Sequence, residues 1–384
     1  MKAYALYLHI PFCAIKCSYC AFNTYANQES LIPAFVAALC NEIRFVGAGQ
    51  AIRTVYFGGG TPSVLSPEQF GQIVTACRQA FAIDPAAEIT AEVNPNDATP
   101  AYLAALRALG VNRLSLGMQS AHEPELRLMA RDHGLGGVQR AVEAARAAGF
   151  TNLSLDLIFG WPGQTLRAWQ ESVSAALALH PDHLSMYALE LEPGTAITRQ
   201  VERGRLILPD DDLTAEMYDW ADQAVTAAGL PQYEISNWAR PGTECAHNLI
   251  YWDHGEYIGV GAGAHGYAAG LRYETVKPIQ RYIALAAGQT ERRPFPLTAA
   301  VETWEAIDPP TQMMENLFTG LRRVKTGVND AEFTARFGQS LDSVYGQQIE
   351  RLIRRGLLVR VDGWLRLTPA ARLISNAVFR ELMP

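Results

Sequence analysis

Over its first two-thirds the chain alternates between short β-rich runs and amphipathic helical stretches, and few architectures accept that string. The strand candidates are Tyr4–His9, Thr54–Phe57, Glu88–Val93, Arg113–Met118, Leu153–Phe159 and His183–Leu189. Between them, Leu31–Phe45, Pro67–Ala80, Thr99–Leu109, Gly136–Ala148 and Leu166–Leu179 carry apolar residues at helical spacing. This order predicts βαβ units and a parallel sheet. Periodicity admits either a doubly wound sheet or a partial (β/α)6 barrel. The polar residues that interrupt the pattern favour the barrel. Cys13-x3-Cys17-x2-Cys20 follows the first strand and Gly58-Gly59-Gly60-Thr61-Pro62 the second. Glu92-Val93-Asn94-Pro95 ends the third, Gly117-Met118-Gln119-Ser120 the fourth, Asp156 lies on the fifth, and the sixth runs into Tyr187 and Glu190. All six candidate sites stand at or near strand C-terminal ends. A barrel gathers those ends on one face, whereas an open sheet shares only its switch-point crevice.

With 384 residues, 49% of them hydrophobic and 18% charged, the chain can bury one large domain and a smaller appendage, and it is not a disordered tail. A net charge of -7 argues against nucleic-acid binding by bulk charge. No run approaches the ~18 apolar residues of a membrane span, and MKAYALYLHIPFC has no signal-peptide core. The expectation is a cytoplasmic protein that is not integral to a membrane, with peripheral membrane contact left open. Six cysteines in that setting point to metal binding, catalysis or burial rather than disulfides. Cys40 and Cys77 fall in helical patterns and read as core.

Three segments are expected: a core over 1–235, a loop-rich region over 236–300 dense in Gly, His and aromatics, and a C-terminal module over 301–384. In the last, helical stretches precede a hairpin turning at Asp362-Gly363, which reads as winged-helix-like. Leu321–Arg366 holds nine basic and five acidic side chains. That excess is too small to make DNA the expected partner, and docking or covering the barrel mouth fits better.

Three cysteines at this spacing aim their sulfurs at one centre only from a loop, and thiolates select zinc or iron–sulfur clusters. Structural zinc usually takes two separated pairs, and there is no second pair here. Three thiolates on a [4Fe–4S] cluster leave one iron open to a small molecule. Spacing and position favour the cluster, with a zinc-stapled binding protein as the weaker alternative.

The run Tyr7-Leu8-His9-Ile10-Pro11-Phe12-Cys13-Ala14-Ile15-Lys16-Cys17-Ser18-Tyr19-Cys20 resembles the signature of radical S-adenosylmethionine (SAM) proteins, in the branch that contains oxygen-independent coproporphyrinogen III oxidase. The likeness continues through GGGTP, EVNP, GMQS and the strand bearing Asp156. It implies a radical SAM partial (β/α)6 barrel in which Cys13, Cys17 and Cys20 ligate the cluster. In that family the open iron chelates SAM, and one electron cleaves SAM to a 5′-deoxyadenosyl radical. The resemblance implies that Tyr7 and Tyr19 line the SAM pocket and that Gly59, Gly60 and Thr61 approach the methionine amino group. It gives Glu92 the ribose hydroxyls and makes Gln119, Arg131 and Asp156 further SAM contacts. It also implies an electron donor such as a flavodoxin. No catalytic residue is assigned.

The oxidase carries a further cysteine two positions past the third, where this chain has Cys20-Ala21-Phe22. That departure, with a first strand almost at the N-terminus, resembles instead the HemW-type haem chaperones. His247-Asn248-Leu249-Ile250-Tyr251-Trp252 resembles their HNxxYW motif. An imidazole can ligate haem iron and aromatics can pack on a porphyrin face. His247 and Trp252 are therefore the haem candidates, with Cys245, His254 and His265 nearby. A histidine hydrogen-bonded in a loop is the plainer alternative for His247. The resemblance implies haem transfer to an acceptor protein. The alternative is the oxidase itself, which converts propionates to vinyl groups by hydrogen abstraction.

Overall fold

A computed structural model describes residues 3–383. The six expected strands form as β1 (Ala3–Ile10), β2 (Ala51–Gly59), β3 (Ala82–Val93), β4 (Arg113–Gln119), β5 (Asn152–Phe159) and β6 (His183–Ala188). They pair in parallel and in chain order, as successive right-handed βαβ units require. The helices between them include α1 (Ile32–Val46), α2 (Pro67–Ala80), α3 (Pro100–Ala108), α4 (Gly134–Ala147) and α5 (Leu166–Ala178), and α6 (Asp211–Ala227) and α7 (Ala246–Trp252) follow β6. The N-terminus of α2 has a full capping box, with Ser66 accepting from the Gln69 backbone and Gln69 from the Ser66 backbone.

Side-chain alternation along the strands separates two environments. Leu6, Leu8, Ile10, Val55, Phe57, Leu114, Leu116, Leu153, Leu155 and Leu157 belong to the apolar core that the helices cover. The intervening residues are polar: Thr54 and Tyr56, Glu88 and Glu92, Arg113 and Ser115, Ser154 and Asp156, His183 and Ser185. They bond to one another between neighbouring strands, as in Ser115–Asp156 and Ser154–His183. The barrel interior is therefore a hydrogen-bonded polar chamber.

The expectation of a loop-rich stretch over 236–300 is overturned. Residues Gln232–Glu234 (β7), Asn237–Ala239 (β8), Tyr257–Val260 (β9), His265–Ala268 (β10), Leu271–Thr275 (β11) and Val301–Ala306 (β12) extend the same sheet to twelve strands, in the order β12-β11-β10-β9-β1-β2-β3-β4-β5-β6-β8-β7. These strands are short and β9 and β10 carry glycines, which hid them from a pattern search. Gly259 and Gly266 are required by packing: a Cβ on either would lie within 2.1 Å of its neighbours. β9 runs parallel to β1. Glu42 of α1 ties this extension down, fully buried and accepting from Gly261 N (2.9 Å), Tyr282 Oη (2.6 Å) and Thr298 Oγ1 (2.7 Å).

The first core runs through Ala300, and a second begins at Met313. The second packs α8 (Pro309–Leu321), α9 (Asp330–Phe337) and α10 (Leu341–Arg354) on a small sheet of Val328–Asn329, Leu358–Val361 and Trp364–Leu367. Its hairpin turns at Asp362 and Gly363, both at positive φ (51° and 78°), the conformation a tight two-residue hairpin needs. No described helix is long and apolar enough to cross a membrane.

Candidate functional site

The cysteine loop leaves β1 and is closed at its base by a short parallel bridge, Phe12–Cys13 against Tyr25–Ala26. Its tip is pinned to two other segments. Ser18 donates to the Leu128 and Met129 carbonyls, and its own carbonyl accepts from Ile197 N. The glycine loop after β2 is stitched to it, with Gly60 N donating to Ile10 O and Thr61 N to Phe12 O, both at 2.8 Å. Gly60 has to be glycine, since a Cβ would stand 2.5 Å from the Phe12 carbonyl.

Cys13, Cys17 and Cys20 are free thiols that face one cavity of about 200 Å³. Gly59, Gly60, Thr61, Glu92, Gln119, Arg131, Asp156 and Tyr19 line the same cavity. Residues from five different strand ends and loops thus converge. Thr61 Oγ1 lies 3.5 Å from Cys13 Sγ, and Cys20 Sγ lies 3.8 Å from Thr24 Oγ1. Burial raises the Cys13 and Cys17 thiols, and nearby Cys20 adds to it at both, while Arg131 opposes it at both. Arg131 donates to Tyr19 Oη at 3.3 Å and keeps a buried Nε without a partner.

The two carboxylates sit differently. Glu92 accepts from Tyr56 Oη at 2.9 Å, and burial, with the Asp156 charge behind it, pushes its carboxyl up to about 7. Asp156 is held by three serines of β4, β5 and β6: Ser115 and Ser154 bond it at 3.0 and 3.1 Å, and Ser185 faces it as a further donor. Sequence reasoning overlooked Ser115 and Tyr56. The polar members of each strand's alternation were the signal that would have found Ser115 and Tyr56.

Tyr7 does not join this cavity. Its hydroxyl pairs with His9 Nδ1 at 3.1 Å, and its ring stacks on Tyr56. It lines instead a second cavity of about 600 Å³, together with Phe22, Asn23, Tyr251, Trp252, His254, Tyr257, His265 and Tyr267. Phe22, 70% exposed, lines both cavities and marks their junction.

His247 is not among the residues that line the larger cavity. It sits on α7 (Ala246–Trp252), a helix whose first two N–H groups, of Ala246 and His247, donate to Glu88 at 3.0 Å. A carboxylate at a helix N-terminus satisfies orphan donors and the helix dipole together. The His247 ring is buried in the barrel, with Nδ1 2.9 Å from Thr54 Oγ1 and Nε2 2.8 Å from Tyr251 Oη. Both nitrogens are engaged, and burial lowers its pKa to about 3. Cys245 is likewise directed inward onto Glu88, its thiol raised by burial to about 12. Trp252 does reach the large cavity, with the Arg322 guanidinium 4.5 Å over its ring.

A parallel barrel whose strand ends present CxxxCxxC, a glycine loop and two carboxylates to one cavity defines a radical SAM protein. The sequence profile of the Radical SAM superfamily matches residues 7–176, and that of the HemN C-terminal domain matches residues 307–374. The chain belongs to the HemW family. It is 38% identical to the heme chaperone HemW of Bacillus subtilis over 97% of both chains, and 33% identical to that of Escherichia coli over 97% of this chain and 96% of the other. A mitochondrial radical S-adenosyl methionine domain-containing protein 1 of mouse is 40% identical over 68% of this chain and 60% of its own. Among solved structures, coproporphyrinogen III oxidase (HemN) of Escherichia coli shares the fold with a TM-score of 0.84, at 21% identity, over 99% of this chain and 90% of the oxidase.

Proposed function

We propose that the protein is a haem chaperone: it binds haem in the larger cavity, carries a [4Fe–4S] cluster and SAM in the smaller one, and hands haem to an acceptor protein. The observation that carries this reading is the larger cavity itself. At about 600 Å³, walled by Tyr251, Trp252, Tyr257, Tyr267 and Phe22, it suits a flat apolar macrocycle, and Arg272 and Lys277, paired with Glu315 and Glu274, bring cations to its lining. The kinship to proteins named heme chaperones supports it.

Three free thiols facing one cavity, with a cation beside them, fit an iron–sulfur cluster. Cys13, Cys17 and Cys20 would hold it, and when bound it supplies an iron without a protein ligand at which SAM attaches. Gly59, Gly60 and Thr61 would bring backbone close to the methionine end. Glu92, as a carboxylate, would accept the ribose hydroxyls, and Asp156, whose carboxyl burial pushes up against the opposing hydrogen bonds of its serines, would be a further contact. Gln119, Arg131 and Tyr19 would complete the pocket. The exposed loop residues Ala14, Ile15 and Lys16 beside the cluster cysteines leave access for a one-electron donor such as a flavodoxin. A cytoplasmic setting suits six unpaired cysteines. The C-terminal module over 301–384 would cover the haem cavity, to which its Glu315 and Thr319 already contribute.

Phe22 stands where the oxidase has a cysteine, and its ring cannot supply a thiolate. The test has two arms. Haem titration of anaerobically reconstituted protein, followed by incubation with an apo-haemoprotein, is expected to give binding and transfer. Coproporphyrinogen III, with SAM and a reductant, is expected to give no protoporphyrinogen IX. Turnover at an enzymatic rate would restore the oxidase reading.

A further inference from the structure

The haem reading leaves open what holds the iron, and the residue singled out by the HNxxYW motif has no free nitrogen. His9 also lines the cavity, but its Nδ1 meets Tyr7 Oη and its Nε2 meets the Asn23 carbonyl at 3.0 Å. His265 stands at the rim, its side chain 60% exposed and Nε2 3.5 Å from Glu274.

His254 differs from all of these. It lines the cavity, is only 6% exposed, and its Nε2 is fully buried with no hydrogen-bond partner. A buried ring nitrogen left without a partner is costly, and its persistence calls for an occupant. The other nitrogen, Nδ1, lies 4.0 Å from Glu315 Oε2, longer than a hydrogen bond, and the second oxygen of Glu315 accepts from Arg272. The negative charge on that side favours the proton on Nδ1, which leaves Nε2, the nitrogen without a partner, to carry the lone pair. A carboxylate behind a ligating imidazole is the usual second partner of a metal-bound histidine, fixing its tautomer and strengthening its donation. Burial, with Arg336 and Arg272 nearby, lowers the His254 pKa to about 4, so the ring is neutral and able to ligate at physiological pH.

The backbone is built to hold this ring in place. His254 adopts φ +49°, a left-handed conformation uncommon outside glycine. Two elements enforce it. Within the turn, His254 N donates to Tyr251 O and Gly255 N to Ile250 O. From the C-terminal module, Arg336 donates to the His254 carbonyl at 2.9 Å and to that of Asp253 at 3.3 Å, while Arg323 pairs with the Asp253 carboxylate. The Tyr267 ring lies 5.0 Å away and fixes the plane of the imidazole.

We propose that His254, backed by Glu315 of α8, is the axial ligand of the haem iron. The inference rests on the haem-chaperone reading and assigns the ligand within it. It makes the C-terminal module part of the haem site, because the module supplies both the carboxylate behind the ligand and the arginine that holds its turn.

The test uses the full-length, cluster-reconstituted protein and haem itself. His254→Gly removes the ligand while accepting the positive φ, so the turn is not strained. It is expected to lose the wild-type Soret and electron paramagnetic resonance signature and at least tenfold in affinity, with both restored by added imidazole. A purely structural role would not show imidazole rescue. Glu315→Gln is expected to keep haem bound while raising the iron midpoint potential, since the imidazole then donates less. His265→Ala is expected to retain the wild-type spectrum. A wild-type spectrum in His254→Gly would overturn the assignment while leaving haem binding intact, as would loss of the signature in His265→Ala alone. A wild-type protein that binds no haem in either iron oxidation state would overturn the haem reading and this inference together.

Discussion

His247 Nδ1 lies 2.9 Å from Thr54 Oγ1, a bond that joins α7 to β2 inside the barrel. The histidine that looks most like a ligand in the sequence is thus part of the chamber's wall, beneath Tyr56 and Glu92. Its consequence is measurable as acid lability. The free imidazole takes a proton near 6.5, whereas the folded one resists until about 3. The stabilising contribution is therefore complete above 6.5 and lost as pH falls from there towards 3, amounting to about 2 kcal/mol by pH 5. His247→Gln is expected to be less stable at neutral pH but to show a flatter decline between pH 7 and 5 in urea unfolding. An unchanged slope would mean that the histidine is not held neutral.

Each of Cys13, Cys17 and Cys20 is expected to be indispensable to the cluster. Anaerobic reconstitution of the wild type should give about four irons per chain. Alanine at any one of the three should abolish the visible charge-transfer absorption. Cys40→Ala and Cys77→Ala, in the helix-covered core, should retain it. A complete cluster in Cys17→Ala would count against the assignment.

SAM affinity should depend on pH through Glu92. Its carboxyl is raised to about 7, so affinity should increase as pH rises through that value and the carboxylate forms. Glu92→Gln should flatten the dependence, and Tyr56→Phe should move the midpoint upward, because Tyr56 donates to the ionised form. Glu92→Ala or Asp156→Ala should lose about 1.5–3 kcal/mol, roughly tenfold to a hundredfold, with the cluster intact. Equilibrium dialysis at several pH values reads all of these.

Gly60→Ala should damage the cluster loop without touching a ligand. The added Cβ collides with the Phe12 carbonyl, next to Cys13, and overpacking of that kind costs about 1–3 kcal/mol. Reduced iron retention after reconstitution, together with a lower melting temperature, is the expected result.

Trp252→Ala should weaken haem binding several-fold and leave the axial signature as in the wild type, since the indole lines the cavity and carries no ligand. Phe22→Ala, at the junction of the two cavities, should do likewise. Haem titration followed by absorbance and paramagnetic resonance separates lost packing from lost ligation.

The barrel and its cysteine loop were legible in the amino-acid order. β1 to β6 are local features, legible as alternation with amphipathic helices, and Cys13, Cys17, Cys20, Gly60 and Glu92 announce themselves by residue type and position at strand ends. The polar parity of the strands, Ser115 opposite Asp156 and Thr54 opposite His247, was legible in principle, because a strand with one polar face must have a chamber to face. Tertiary structure alone decided the rest. β9 to β12 fall outside the strand–helix alternation, and they exist because β1 offers an edge to pair with. Tyr7 and His247 parted from their expected sites because a side chain's neighbours depend on long-range packing: His247 meets Thr54 across 193 residues of chain. His254 was one histidine among several in the sequence. It became distinct only when the fold buried its Nε2 against a cavity and brought Glu315, from the C-terminal module, to its other side.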